Sequence, residues 1–529
     1  MRTLLFALLL PVIASAQVSY PMITHTHPVA VQRGKTSPVT VSGAMNFAET
    51  TQALFQGTGI IAKVVPDKKA DKTARAVQLQ MTVDEKAIPG VRDFRVAGNL
   101  GLSSVGQIVI SEHPVVEETA KNDTRETAQT VPVPCVVAGK IEIAEDVDFF
   151  KFKAKAGQTI TFEVFCARIQ DRIHDLQKHA DPIITVYDSA GRELAANDDF
   201  YFADPLVAVT FKADGEYFVQ VRDSKYDGDP RWVYALAIDD GPRPTHVYPS
   251  GAQVGKETTL EAVGTGLTAK VNAPTTPGVH EVILDTPRGS SAPVPLIVSS
   301  LAQSLEAEPN DDITKATRVT LPCGINGRIG TPGDVDHFVF TAKKGVALRF
   351  EVKARRFGTR LLSSLDSVID VLNAKGAILA TNDDTNAKDA ALTFTPTADG
   401  DHILRVRELN GKGGPTFVYH IEAETVKPDF SLKCDGDKAM IGPGGSVAWY
   451  VQLTRLGGFT GPVQIEVKGL PQGVTVNPLT IAPGQTQGLL VLSAAADAKL
   501  NAALVTVMGT PPALASASSE TEQPRRRIT

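Results

Sequence analysis

The chain has 529 residues, of which 43% are hydrophobic and 21% charged, and its formal net charge at pH 7 is -6. These proportions lie close to those of soluble globular domains and exclude a disordered or fibrous chain. The negative charge argues against a nucleic-acid binder, because such proteins cluster Lys and Arg to neutralise phosphates. Only Arg525 to Arg527 form a dense basic run, which we expect to be a solvated chain end.

The amino terminus predicts export. Arg2 supplies a positive charge, residues 4–13 form an apolar core, and Ala14-Ser15-Ala16 offers a cleavage site. This order is typical of a secretory signal peptide, here residues 1–16. About ten apolar residues are fewer than the roughly 20 that a membrane-spanning helix needs. We therefore expect a protein without a membrane span that is secreted or located in the periplasm or at the cell surface.

Two long segments of the chain repeat each other at a spacing of 188 residues. Thirteen of the 31 positions in residues 122–152 are identical in residues 310–340, without a gap. A further block, residues 191–199, matches residues 376–384 at a spacing of 185. Such repetition indicates an array of modules, so function should be sought in a repeated surface before a single catalytic cleft.

A second repeat precedes each of these large units. Thr24-His25 recurs 221 residues later as Thr245-His246, whereas Pro89-Gly90-Val91 recurs 188 residues later. The two spacings differ by 33, so the first small unit contains about 33 residues that the second lacks. The chain therefore alternates between small and large units.

The pattern of apolar residues predicts strands and no long helices. Residues 158–165 and 215–222 alternate between polar and apolar side chains, as half-buried strands do. After residue 424, strands at 446–453 and 463–467 and a turn-rich stretch at 469–488 suit a seven-strand sandwich of immunoglobulin type. From about Pro511 the composition becomes rich in Ala, Ser, Glu and Arg and predicts disorder.

The four cysteines leave two interpretations open. Cys135 and Cys323 occupy equivalent positions in the large repeats, whereas Cys166 and Cys434 have no repeat partner. A disulfide between Cys135 and Cys166 is one alternative in an exported protein. The other is that all four are small buried apolar residues.

Four groups of residues give the large repeats a family resemblance. In the second repeat they are Glu306-Ala-Glu308-Pro-Asn310-Asp311, Gly333-Asp334-Val-Asp336, Asn382-Asp383-Asp384 and Ala398-Asp399-Gly400. With these, the large units resemble the bacterial pre-peptidase C-terminal domain, a jelly-roll-like β-sandwich found beside secreted peptidases. The small units resemble Ig-like domains of the IPT or TIG kind, and the last segment resembles Ig-like domains of similar secreted proteins.

The resemblance implies an all-β chain of tandem β-sandwiches, in which Ig-like domains alternate with jelly-roll-like ones. The expected organisation is a signal peptide at 1–16, an Ig-like domain at 17–113, a first large domain at 114–240, a small Ig-like domain at 241–304, a second large domain at 305–424, a further Ig-like domain at 425–510 and a disordered tail at 511–529.

The resemblance also implies calcium, because in calcium-binding members the E-x-E-x-N-D segment meets acids of the G-D-x-D segment. The ligands carried over to the second repeat are Glu306, Glu308, Asn310, Asp311, Asp334 and Asp336. The matching residues of the first repeat are Glu118, Asn122, Asp123, Asp146 and Asp148. Ala120 stands where the second repeat has Glu308, so the first site should be weaker.

The residue types themselves allow this chemistry. Ca²⁺ takes six to eight oxygen ligands, and Glu306 and Glu308, two residues apart, point to one side of an extended strand. The alternative is that these acids cap turns and solvate a surface, because Asp and Asn bond their own backbone in such places. For Asn197 and Asn382, in the repeated Asn-Asp-Asp triplets, turn stabilisation is the favoured role.

No catalytic motif is recognisable. His280-Glu281 lacks the second His of a zinc-protease helix, and no G-x-S-x-G sequence is present. No stripe of Trp or Tyr marks a sugar platform, and Trp232 and Trp449 are predicted to be core or strand-edge residues. We expect a non-enzymatic exported protein that binds extracellular polymer, protein or glycan, or spaces a surface assembly. The alternative is the accessory part of a secreted peptidase, with that peptidase as partner.

Overall fold

The structure of the chain is a computed structural model, and it describes residues 20–44, 46–66, 74–119, 121–170, 178–355, 363–386, 389–511 and 526–527. The predicted signal peptide lies outside these ranges, as do Ala120 and residues 512–525 and 528–529 of the predicted tail. No helix among the described residues has the length and apolar character needed to cross a membrane. The predicted all-β class of tandem sandwiches is confirmed.

The first small module packs two sheets face to face. Its strands are β1 (Ile23–His27), β2 (Ala30–Gln32), β3 (Thr36–Gly43), β4 (Thr50–Phe55), β5 (Ile60–Val65), β6 (Ala76–Val83), β7 (Gly90–Gly98), β8 (Gly101–Leu102) and β9 (Gly106–Ser111). The sheet orders are β1-β3-β6-β5 and β2-β9-β7-β4, with β8 paired to β7. Strand β6 explains the sandwich, because every second side chain, from Val77 to Val83, enters the core.

The first large module has two five-stranded sheets. Its elements are β10 (Val115–Glu117), β11 (Gln129–Thr130), β12 (Cys135–Lys140), β13 (Val147–Ala154), β14 (Thr159–Phe165), α1 (Ala167–Gln170), β15 (Pro182–Tyr187), β16 (Glu193–Asn197), β17 (Leu206–Thr210), β18 (Gly215–Asp223) and β19 (Val233–Asp239). The sheet orders are β10-β12-β19-β14-β17 and β11-β13-β18-β15-β16. Phe150, Phe152, Phe162 and Trp232 fill the space between the sheets.

The second small module is a reduced version of the first. Its strands are β20 (His246–Tyr248), β21 (Gly251–Gln253), β22 (Glu257–Val263), β23 (Leu267–Asn272), β24 (Gly278–Val282), β25 (Asp285–Thr286), β26 (Gly289–Ser290) and β27 (Val294–Ser299). They form the three-stranded sheets β20-β22-β23 and β21-β27-β24 and a small hairpin of β25 and β26.

The second large module repeats the first strand for strand. Its elements are β28 (Gln303–Leu305), a 3-10 turn (Ile313–Lys315), β29 (Thr317–Arg318), β30 (Cys323–Arg328), β31 (Val335–Ala342), β32 (Leu348–Lys353), β33 (Ser367–Asn373), β34 (Ile378–Asn382), β35 (Ala391–Phe394), β36 (Gly400–Glu408) and β37 (Val418–Thr425). The orders β28-β30-β37-β32-β35 and β29-β31-β36-β33-β34 match those of the first copy. Strand β28 begins two residues before the predicted boundary at 305.

The last module is a sandwich of two sheets. Its strands are β38 (Asp429–Cys434), β39 (Ser446–Leu456), β40 (Val463–Lys468), β41 (Val474–Val476), β42 (Leu479–Ile481), β43 (Gln487–Ala494), β44 (Thr506–Thr510) and β45 (Arg526–Arg527). The sheet orders are β38-β39-β43-β41 and β42-β40-β44-β45. Arg526–Arg527 were assigned to the disordered tail by sequence, yet their backbone pairs with β44.

The last module also returns to the first. The side-chain amide of Gln52 donates to Asn501 Oδ1 at 2.8 Å and accepts from the backbone of Ala502 at 2.9 Å. Arg95 Nη2 donates to Asp437 Oδ2 at 2.5 Å. These contacts join residues more than 340 positions apart in the sequence.

The cysteines are all unbonded. Cys135, Cys166 and Cys323 are buried, as the apolar interpretation predicts, and Cys434 is half-buried. Burial raises the pKa of the Cys135 thiol to about 12, so this group stays neutral. The alternative of a bridge between Cys135 and Cys166 is not formed.

The two junctions between a small and a large module use opposite chemistry. In the first, Ala30, Ala138 and Ala235 belong to an apolar cluster that both modules share. At the repeat spacings the second junction has Gly251, Asn326 and His420 in their places. The Gly251 N–H donates to Asn326 Oδ1 at 2.7 Å. Thus apolar burial holds the first junction, and hydrogen bonds hold the second.

Gln303 completes the second junction. Its Oε1 atom accepts a hydrogen bond from Asn326 Nδ2 at 3.1 Å and lies 3.1 Å from His420 Nε2. A Cβ at position 251 would collide with the His420 ring, so glycine is needed where the first junction has Ala30. Burial lowers the pKa of His420 to about 4, with a smaller opposing effect of Glu422.

We predict that acid weakens the second junction through His420. Because the folded-state pKa lies below the ordinary value of 6.5, the unfolded chain takes up the proton first as the pH falls from 6.5 towards 4. The stabilisation present above pH 6.5 should fall by up to about 3 kcal/mol across that window. His420→Ala, the residue of the first copy, should remove this part of the pH dependence.

Calorimetry of the full chain at several pH values, together with hydrogen exchange of β30 and β37, provides the measurement. His179→Ala, at an exposed histidine, is the control. An acid sensitivity of β30 and β37 that is identical in His420→Ala and the parent would contradict the prediction.

Candidate metal centre

The acidic segment of the second large module lies between two strands. Glu306 and Glu308 follow β28, and Asp336 lies at the start of β31. These three side chains each place a carboxylate oxygen within 4.8 Å of the other two. Within the described ranges, no other group of three or more His, Cys, Asp or Glu side chains is close enough to share an ion. The structure thus brings together the two glutamates and the later aspartate that sequence singled out.

Two fully buried polar side chains lie in this region with atoms that no protein group satisfies. Asp336 and Asn310 are each 0% exposed. Asp336 Oδ2 accepts a hydrogen bond from Tyr419 Oη at 2.6 Å, but its Oδ1 has no partner. The side-chain oxygen and nitrogen of Asn310 also have none. Since buried polar atoms are nearly always paired, these oxygens fit a site that a cation completes.

Glu306 is held by groups from two modules. Its Oε2 accepts from the Arg328 N–H at 2.9 Å, and its Oε1 accepts from Tyr248 Oη at 2.8 Å. Tyr248 belongs to the preceding small module, and the Arg328 guanidinium covers its ring at 4.2 Å. Arg328 Nη2 in turn donates to Glu261 at 2.7 Å. The metal centre is therefore continuous with the second junction.

A glycine makes room for this arrangement. A Cβ at Gly327 would collide with the Tyr419 hydroxyl and lie 2.6 Å from Glu306 Oε2. The first copy has the same constraint, because a Cβ at Gly139 would lie 2.7 Å from Glu118 Oε2 and collide with Tyr234. Neither tyrosine was identified from sequence, although both lie in the last strand at the 185-residue repeat spacing.

Crowding and burial make the carboxyl groups hard to ionise. Burial, followed by the charge of Glu306, raises the pKa of Asp336 to about 9. Burial also raises the pKa of Glu306 to about 7, against the hydrogen bonds from Arg328 and Tyr248. The pKa of Glu308 is raised as well, mainly by burial. A bound cation would offset this repulsion, which is the usual reason for such a cluster.

The other two predicted ligands of this copy lie outside the close group. Asp334 Oδ2 accepts from the Gly330 N–H at 2.5 Å, and Asp311 Oδ1 accepts from the Val335 N–H at 3.3 Å. Both acids therefore cap backbone amides, as the turn alternative describes. Burial raises the pKa of Asp334, and Asp311 beside it adds to the effect.

The first copy keeps the scaffold with fewer oxygens. Asp148 is buried and accepts from Tyr234 Oη at 2.7 Å, and its Oδ1 has no partner. Glu118 Oε2 accepts from the Lys140 N–H at 2.8 Å, and its carboxyl group is hydrogen-bonded to that of Asp148. Asn122 is buried. Burial, then the charge of Glu118, raises the pKa of Asp148 well above its usual range.

The remaining acids of the first copy lie at its surface. Asp146 Oδ2 accepts from the Glu142 N–H at 2.6 Å, and Asp123 is exposed. The Asn-Asp-Asp triplets have the turn role that was favoured. Asn197 Oδ1 accepts from the Leu206 N–H at 3.0 Å, and Asn382 Oδ1 from the Ala391 N–H at 2.9 Å.

Comparison with known proteins identifies one family. The profile of the bacterial pre-peptidase C-terminal domain matches residues 146–223. A probable subtilase-type serine protease of Deinococcus radiodurans is 38% identical over 105 residues, which are 20% of this chain and 14% of that protease. The match thus spans about a seventh of the protease's length.

Two solved structures were also compared. The pre-peptidase C-terminal domain of a Bacillus anthracis collagenase is 17% identical and covers 22% of this chain and 100% of its own, with a TM-score of 0.17. The Bacteroides ovatus protein SGBP-B from a mixed-linkage glucan utilization locus, in complex with a mixed-linkage heptasaccharide, is 8% identical, covers 74% of each chain and has a TM-score of 0.16. Scores this low carry no argument about function. By its sequence match and its strands, the chain is a bacterial protein of the pre-peptidase C-terminal domain type.

Proposed function

We propose that this chain is an exported, non-catalytic binding protein whose β-sandwich modules engage extracellular polymer, protein or glycan. We further propose that calcium stabilises its second large module. The observation that carries the calcium proposal is the group of Glu306, Glu308 and Asp336, in which a fully buried carboxylate oxygen has no protein partner.

The donor set favours a hard cation. All three grouped side chains offer oxygen, and the buried Asn310 adds an amide oxygen nearby in sequence. Ca²⁺ takes six to eight oxygens in flexible geometry, with waters completing the shell, whereas Zn²⁺ selects nitrogen and sulfur. Bound calcium would supply positive charge among three carboxylates that repel one another.

The protein groups around the site do the positioning. Tyr419 fixes one oxygen of Asp336, and the Arg328 N–H and Tyr248 fix both oxygens of Glu306. The cation would then join β28, β31 and, through Tyr248, the preceding small module. Its effect would be to stiffen a scaffold, which agrees with a binding role.

A non-catalytic role is supported by the composition of this group. It contains no His or Cys, the residues that usually hold a catalytic zinc. The doubled large modules also distribute similar surfaces along one chain, as binding arrays do.

A second candidate function is the accessory part of a secreted peptidase. The observation in its favour is the segment that is 38% identical to a probable subtilase-type serine protease. In that case the catalytic unit would belong to a partner or to another polypeptide region.

We predict binding without hydrolysis. The purified chain should co-sediment with insoluble polysaccharide, collagen-like or cell-wall material and leave casein intact, because its modules present surfaces and no catalytic group. Sedimentation and a fluorescent casein assay provide the measurements. Casein cleavage that a serine or metal inhibitor abolishes would refute the non-catalytic proposal and favour the peptidase-associated one.

We predict that calcium raises the melting temperature of the second large module. A ligand that binds only the folded state stabilises it by about 2.7 kcal/mol at a hundredfold excess over Kd, a rise of roughly 5–15 °C here. Glu308→Ala should weaken calcium binding by about tenfold or more, because it removes one carboxylate of the group. Calorimetry and titration calorimetry in calcium and in chelator provide the measurements.

Asp383→Ala is the matched control for this experiment, because it removes one exposed carboxylate of the same module from the Asn-Asp-Asp turn. It should leave calcium binding unchanged. The calcium proposal fails if the parent melts identically with calcium and chelator, or if the two variants lose affinity equally.

We predict that Ala120→Glu strengthens the weaker site of the first copy. The substitution restores the carboxylate that the second copy has as Glu308, so affinity should rise by about tenfold or more. Terbium luminescence in the Glu308→Ala background isolates the first site. Equal luminescence titrations with and without Ala120→Glu would show that the two copies do not share a metal scaffold.

A further inference from the structure

A large cavity of about 1410 Å³ lies where the first three modules meet. Residues of the first small module, the first large module and the second small module all line it. Its volume exceeds the roughly 300–1,000 Å³ of an ordinary small-molecule pocket, so it offers room for a segment of a polymer. It is separate from the candidate metal centre.

One wall of this cavity is aromatic. Tyr201 and Phe202 lie on the turn between β16 and β17, with their rings edge to face at 5.3 Å. Phe202 is 82% exposed, although its backbone adopts a φ of 53°, which is costly for a residue with a side chain. An exposed aromatic ring on a strained turn is not explained by packing.

Arg168 fixes the orientation of the Tyr201 ring. Its guanidinium lies 4.9 Å from the centroid of that ring and 4.1 Å from that of Phe165. Its nitrogen atoms donate to Asp204 at 2.5 Å, to Glu163 at 2.9 Å and to the Val164 carbonyl at 2.6 Å. Arg168 is thus a positioning residue whose hydrogen bonds are made within the protein, and the aromatic wall is preorganised.

The second copy shows that the fold does not need these rings. There the same turn has Asn386 and Ala387 at the positions of Tyr201 and Phe202. Both turns close with the same backbone bridge, in which the N–H of Tyr201 or Asn386 donates 3.0 Å to the carbonyl oxygen three residues later. The aromatic pair is therefore an addition of the first copy to a turn that is stable without it.

The facing walls are polar and balanced in charge. Alongside the aromatic wall, the lining carries three carboxylates and three cationic groups: Asp84, Asp93, Glu281, Lys86, Arg92 and Arg168. Gln107 donates from Nε2 to Asp93 at 2.9 Å, but its buried Oε1 has no partner. This balance disfavours a polyanion, because no net positive field would attract one.

We propose that this cavity binds a chain of a neutral polysaccharide. The apolar faces of sugar rings stack on aromatic side chains, while their hydroxyl groups need both donors and acceptors around the rim. Tyr201 and Phe202 supply the stacking surface, and the carboxylate and amide groups of the small modules supply acceptors. The inference rests on the proposed binding function and names its ligand class and site.

The test is affinity electrophoresis of the full chain in gels that contain dextran, mannan or β-glucan, with heparin and gelatin gels for comparison. The parent should be retarded by at least one of the neutral polysaccharides. The double variant Tyr201→Asn and Phe202→Ala, which installs the residues of the second copy, should lose about tenfold or more in affinity. Glu281→Ala, from the opposite wall, should lose affinity by a smaller factor.

Tyr450→Ala is the control, because it removes an exposed aromatic side chain from the last module. It should bind as the parent does. Retardation by heparin or gelatin alone would overturn this inference and leave the binding function standing. Absence of retardation in every gel would overturn both. Retardation by a neutral polysaccharide that the double variant and Glu281→Ala leave unchanged would show that the site lies elsewhere.

Discussion

The hydrogen bond from a tyrosine hydroxyl to a buried aspartate fixes the acidic corner of each large module. It joins Tyr419 to Asp336 at 2.6 Å and Tyr234 to Asp148 at 2.7 Å. A buried carboxyl group without a partner is strongly destabilising, so the tyrosine determines where the acid can lie. Because the tyrosine comes from β37 or β19, inside its five-stranded sheet, the sheet positions the acid more firmly than a loop would.

This constraint explains how the copies differ while their folds remain the same. The tyrosine, the aspartate and the nearby glycine are present in both, so the scaffold survives changes in the number of acids around it. The first copy has Ala120 in place of an acid and has gained Tyr201 and Phe202 on a turn that the second copy builds with polar or small residues. Duplication has thus allowed two similar sandwiches to specialise in different surface chemistry.

Features that depend on local periodicity could be predicted from the sequence. Alternation in residues 158–165 predicted β14, observed at Thr159–Phe165, and the internal repeat predicted a second large module with the same strands. The two-residue spacing of Glu306 and Glu308 placed both near Asp336. In each case, strand geometry alone determines which side chains share a face.

Features that depend on contacts between modules could not be predicted. Tyr248 meets Glu306 across a module boundary, 58 residues away in sequence, and no local pattern marks it. Asp311 and Asp334 belong to the right motif, but backbone amides engage both. The aromatic wall was missed because Tyr201 and Phe202 are only two residues, and the walls facing them come from other modules.

The chemistry of the two junctions determines where the chain can bend. Separating the first junction would expose Ala30, Ala138 and Ala235 to water, and the lost apolar burial opposes that motion. At the second junction, water can replace the hydrogen bonds of Gly251, Asn326 and Gln303 with little net change in free energy. Under mechanical load the array should yield near Gly251 first, so the amino-terminal half would act as a stiff arm on a compliant base.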